Sequence, residues 1–184
     1  MDKNKSNSEI ELLKRLVKFQ LVEVVTNVNL DPIKTATFSL DRKIRDSKIK
    51  VPLWLAEELL KDGKVRVSES LFSWLNQVLW KEKAKFDKKG ASISKQDDKF
   101  YPNIFLIEAA LKYDKTLGFD ENTITNVKNL IRLIINKRVE AIVRMAESGD
   151  TRLFDKLTPE EKVLYKNIRN ILENWMEFTG VEEL

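Results

Sequence analysis

A chain of 184 residues with no histidine, no cysteine and a formal net charge of +4 excludes several kinds of chemistry at once. The commonest zinc ligand and general base are missing, as are any thiol nucleophile and every disulfide, so neither a Ser-His-Asp triad nor a Cys/His zinc cluster can be built. Five glycines leave no Gly-x-Gly-x-x-Gly or Gly-Lys-Ser/Thr phosphate loop, and no acidic group has two-metal spacing, so the expectation is a non-enzyme that uses no cofactor and no metal.

Residues 9–18 place Ile10, Leu13, Leu16 and Val17 at helical spacing, with Ser8 positioned as a cap. Residues 1–18 thus read as a polar tail leading into a short helix. The tail lacks the apolar core of a secretory leader, and no run approaches the roughly 18 apolar residues that span a bilayer, so a cytoplasmic, nucleoid-associated location and no membrane are expected. From Phe19 to Val25 the chain turns β-branched and strand-like. Asn29-Leu30-Asp31-Pro32 is a turn signal, and residues 35–40 alternate like a strand. Ile44 and Ile49 flank a basic loop or hairpin. Pro52 presets φ and suits the first position of a short helix, and Gly63 suits the left-handed residue that ends it. Val65 and Val67 alternate with Lys64 and Arg66 as a strand with one buried face. Residues 19–68 therefore form a small α+β domain. It has few apolar residues of its own and is expected to dock on the rest of the chain or on a partner.

Residues 69–184 read as helix. Ser68 or Ser70 caps a helix with Leu71, Trp74, Leu75, Val78, Leu79 and Ala84 on its apolar side. Residues 87–99 are polar and predict a mobile loop. Pro102 opens a helix ending near Gly118, and Asp120 caps the longest helix, which runs to about Glu147. That helix bears two apolar stripes, Ile124, Val127, Ile131, Ile134, Ala141 and Met145 on one and Leu130, Leu133, Ile135, Val139, Ile142 and Ala146 on the other. Two stripes imply burial on more than one side, either at the centre of a bundle or between the bundle and another subunit. Thr158-Pro159-Glu160-Glu161 is a capping box with proline in the first helical position. Val163, Leu164, Ile168, Ile171, Leu172, Trp175 and Phe178 give the last helix its apolar face, and Gly180 ends it. The predicted fold is mainly α: a small N-terminal α+β domain followed by an α-helical bundle domain.

A small β-rich module ending in Pro52-Leu53-Trp54-Leu55-Ala56, then a serine-started helix, a long helix and a Leu157-Thr158-Pro159-Glu160-Glu161 helix, resembles the GINS family. Specifically it resembles the archaeal subunit in which the small B domain precedes the helical A domain, over about residues 19–180. The resemblance implies a non-catalytic scaffold of the replisome. The implied assembly is a 2:2 tetramer with a second GINS subunit of A-then-B domain order. The implied partners are the MCM helicase, a Cdc45/RecJ-like protein, and primase and polymerase. The alternative reading is a DNA-binding helical regulator. Against it, no short turn joins two helices of recognition-helix type.

Several side chains are candidates for protein-interface or domain-docking roles. Trp54 and Leu55 lie in the distinctive Pro-Leu-Trp-Leu-Ala run, Trp54 as either the core anchor of the small domain or a docking anchor. Trp74, Trp80, Phe105, Tyr113 and Tyr165 are more aromatic surface than a small bundle hides easily, and Leu130 and Leu133 lie on the second stripe of the long helix. Arg42, Lys43, Arg45, Lys48 and Lys50 form the densest basic run, a solvated edge or a phosphate contact. Lys81, Lys83, Lys85, Lys88 and Lys89 form a second run, interleaved with acids. Residues 1–68 carry 14 basic and 10 acidic side chains and residues 100–184 carry 12 and 14, a surplus too modest for a dedicated DNA-binding protein, so any DNA contact is weak or indirect.

Overall fold

Val22 and Val24 alternate with exposed Leu21 and Glu23, which gives the first strand one buried face and seeds a sheet there. The computed structural model describes residues 3–86 and 93–180. In chain order it contains α1 (Lys3–Phe19), β1 (Leu21–Thr26), β2 (Ile33–Lys34), β3 (Ser39–Leu40), β4 (Lys48–Pro52), α2 (Leu53–Lys61) and β5 (Val65–Arg66). These are followed by α3 (Glu69–Phe86), α4 (Phe100–Tyr113), α5 (Glu121–Ser148) and α6 (Pro159–Thr179). The chain is mainly helical, with an N-terminal α+β region followed by a helical bundle. Strands β4, β1 and β5 form an antiparallel sheet in that order, with Leu21 opposite Pro52 and Thr26 opposite Val65.

Four local expectations are corrected. Helix α1 begins at Lys3, so Ser8 lies inside it and does not cap it. Residues 35–40 are not one strand. Thr35 donates its backbone N–H to the Phe38 carbonyl at 2.8 Å and accepts the Phe38 N–H on Oγ1 at 3.0 Å, which folds the run back as the β2–β3 hairpin. Pro52 is not the first helical residue. At φ −55° and ψ 144° it ends edge strand β4 and is the N-cap of α2. Helix α4 ends at Tyr113, ahead of the expected Gly118, and a short 3₁₀ turn over Lys115–Leu117 intervenes. At its own C-terminus α2 behaves as expected, because Gly63 takes φ +68° and its N–H reaches the Leu60 carbonyl.

The core of the α+β region is not its own. Val24, Ile49, Val51, Leu53 and Leu60 share one continuous apolar cluster with Leu106, Ala109 and Ala110 of α4, with α2 lying against α4. A second core joins Leu75 and Val78 of α3 to Ile104, Ile107, Ile131 and Ile134. A third joins Ala141, Ile142, Met145 and Ala146 to Tyr165 of α6. Helix α5 therefore has neighbours on several sides, which is why it needs two apolar stripes. Of the predicted 87–99 loop, residues 87–92 lie outside the described residues. Ile93 and Ser94 are buried, and Ile93 packs into the third core between α5 and α6.

Candidate protein-interaction surface

Two hydrogen bonds set how α6 lies on α5. Arg138 bonds Glu161 at 2.6 Å, and Arg169 Nη1 donates to the Ala146 carbonyl at 3.2 Å, each pair separated by 23 residues. Equal offsets mean that the two helices run parallel. Residues of α6 beyond Ile171 therefore continue past Ser148, where α5 ends, for about 12 Å at 1.5 Å per residue. On this overhang Trp175 is 61% exposed and Phe178 78% exposed, their rings 5.3 Å apart, with Ile171 50% exposed one turn earlier. Trp175 and Phe178 belong to the apolar face expected of the last helix, but they stay exposed because α5 has stopped and offers them no surface. Helix α1, which touches α6, exposes Ile10, Leu12, Leu16 and Phe19. Large apolar side chains are thus concentrated on two touching helices, the composition that the cores of protein–protein interfaces share.

The sequence-predicted interface residues do not converge. Leu55 and Tyr165 are buried in the chain's own cores, Tyr165 edge-on to Phe154 at 5.4 Å. Trp54 and Tyr113 are half-buried against the core shared by the α+β region and α4, and the Trp54 indole N–H has no hydrogen-bond partner. Leu130 is half-buried against the second core. Trp80 is exposed on α3, and Phe105 and Leu133 are exposed on α4 and α5. Trp74 meets Phe100 edge-on at 6.0 Å and shares a cleft of about 290 Å³ with Lys50, Leu21, Ser68 and Lys99.

The basic run is similarly divided. Lys48 and Lys50 lie on the outer sheet face, where Lys48 sits 3.6 Å from Glu23. Arg45 is 3.6 Å from Asp46, Lys43 is half-buried in a bridge to Leu30, and Arg42 is exposed. Lys81 and Lys83 are exposed on α3, while Lys88 and Lys89 lie outside the described residues. No group of three or more acidic side chains suited to a metal ion, and no helix long and apolar enough to cross a membrane, occurs among the described residues.

The pattern of apolar stripes concealed a buried polar cluster. Arg138 of α5 is fully buried, the one cation so placed among the described residues. Its Nε and Nη2 donate to Glu161 Oε1 and Oε2 at 2.6 Å each. Its Nη1 donates to Glu82 Oε1 at 2.6 Å and to the Ser94 carbonyl at 3.0 Å. Glu82 also accepts from the Ser94 N–H, the Ser94 hydroxyl and Gln96 Nε2. Glu161 accepts from Thr158 N–H at 3.0 Å and Tyr101 hydroxyl at 3.3 Å. Burial opposes the guanidinium charge, but Glu161 and then Glu82 outweigh it and raise the Arg138 pKa. Burial, followed by the Glu161 charge, raises the Tyr101 phenol well above its ordinary value. An arginine one turn from Ile134 and Ala141, on the buried side of an amphipathic helix, was the signal available in the sequence.

Residues 72–178 match the family model described as Sld5, the GINS complex protein helical bundle domain. That stretch is more than half of the chain, and the chain belongs to this family. No curated protein matches it. Membership makes it a GINS complex subunit with a role in the DNA replication helicase complex, and subunits of that complex are non-catalytic.

Proposed function

We propose that this chain is the GINS scaffold subunit of archaeal type, with the small domain ahead of the helical one, assembled 2:2 with a second subunit of the opposite domain order. In that role it links the MCM helicase to a Cdc45/RecJ-like protein, with primase and polymerase as further contacts and DNA touched weakly or indirectly. The observation that carries this reading is the apolar overhang of α6, together with the exposed apolar side chains of α1, a helix that touches α6, on a bundle of this family. Trp and Phe are enriched in the cores of protein–protein interfaces, and Trp is among the residues that carry most of their binding energy.

Native mass spectrometry of the affinity-tagged chain purified from its own cells at moderate salt tests it. A stoichiometric 2:2 assembly with a second GINS-family chain is expected. A bare monomer or homodimer overturns the reading.

A further inference from the structure

Arg138 is buried more completely than any apolar seam between α5 and α6 requires, and we propose that it is a positioning residue, which locks α6 into one register on α5 and so sets where the partner-facing overhang stands. This rests on the reading of the α6 end as subunit-facing. The seam itself is Ala141, Ile142, Met145 and Ala146 against Tyr165, Ile168 and Leu172. Apolar contact is non-directional, so a seam of this kind tolerates sliding. A slide of one helical turn moves α6 by about 5.4 Å. That distance is nearly all of the projection of Trp175 past α5 and about half that of Phe178, and it would misplace any surface matched to them.

The fork between Arg138 and Glu161 does not tolerate sliding. Two parallel bonds of 2.6 Å fix both the axial position and the rotation of Glu161. Any other register leaves a buried carboxylate without its cation, which is far costlier than exchanging one apolar contact for another. The lock is also tied from the opposite side. Glu82 of α3 accepts from Arg138 Nη1, which also donates to the Ser94 carbonyl, and Glu82 holds Ser94 and Gln96, while adjacent Ile93 wedges into the α5–α6 seam. Five parts of the chain thus meet at one guanidinium: α3, the 93–96 segment, α4 through the Phe100 ring at 5.0 Å, α5 and α6. Only one arrangement satisfies all of them.

The test separates register from stability. Glu82→Met/Arg138→Met/Glu161→Gln removes every charge while Gln at 161 keeps the capping bond to Thr158. Replacing a buried ion cluster by apolar groups is often neutral for stability, but buried Ser94 loses its bonds to Glu82 and Arg138, so this variant is expected to fold with a lower melting temperature than the wild type. Arg138→Lys is the second variant, keeping the charge but losing the fork. Cysteines introduced at exposed Lys128 and Asn170, in a chain that has none of its own, carry spin labels for a distance measurement between α5 and α6. The wild type is expected to show one narrow distance. Both variants are expected to show a broadened or shifted distribution and at least tenfold weaker binding of the purified second GINS subunit. An unchanged narrow distance in either folded variant overturns the proposal, as does a broadened distance with undiminished binding. If the wild type itself binds no second subunit, the failure belongs to the scaffold reading, and the distance still decides whether Arg138 sets the register.

Discussion

At the scale of single residues, the largest energies attach to groups whose partners are buried with them. Arg138→Met alone leaves Glu82 and Glu161 inside the bundle without their cation. It is expected to cost about 3–5 kcal/mol, seen as a lower urea midpoint with an unchanged slope. A loss below about 1 kcal/mol would mean that the two carboxylates find other compensation. Trp54 makes a different prediction. Its ring packs on the core shared with α4, but its N–H is buried and unpaired. Trp54→Ala should cost about 3 kcal/mol through lost packing, whereas Trp54→Phe, which removes the orphan donor, should be close to neutral. Equal loss in both variants would show that the indole N–H has a partner after all.

At the scale of elements, helix ends carry the local stability. Thr158 and Glu161 satisfy each other's backbone N–H groups at the start of α6, and Thr158 is itself buried. Thr158→Ala is expected to cost about 1–2 kcal/mol in thermal or urea melts. The ends of α5 bear on pH. The Thr123 hydroxyl and N–H hold the Asp120 carboxyl below its ordinary range, and Arg152 holds Asp150 down at about 2. Both folded-state values are depressed, so these groups contribute stability above the ordinary carboxylate range, and that contribution is lost as pH falls from about 4 toward 2. Melting temperature should drop over that interval, and the drop should be shallower for Asp150→Asn. An identical pH profile in the variant would remove Asp150 from the account.

At the scale of the whole molecule, the bundle is complete in its cores and incomplete at its α6 end. Trp175→Ala/Phe178→Ala changes exposed side chains that fill no core, so stability should stay within about 0.5 kcal/mol of the wild type. The same variant should fail to form the 2:2 assembly in native mass spectrometry. Intact assembly would move the subunit contact to another face, with Trp80 of α3 and Leu133 of α5 the next exposed candidates.

By itself the sequence determined what depends on neighbours along the chain. The caps at Asp120 and Thr158, the left-handed exits at Gly63 and Gly180, a strand in the β-branched run read from Phe19 to Val25, of which Phe19 still belongs to α1, and the two stripes of α5 are all local consequences of side-chain chemistry, and the absence of His and Cys closes whole classes of catalysis. Its motifs also pointed to the family. Tertiary structure alone decided which apolar faces meet. Periodicity marks a residue as apolar on one side of a helix but says nothing of how far the neighbouring helix extends, so the sequence put Trp175 on the apolar face of the last helix and Tyr165 among the interface candidates, while in the structure Tyr165 fills a core and Trp175 stands past the end of α5. The same limit hid Arg138, because a buried charge is stable only through partners that lie 23 and 56 residues away.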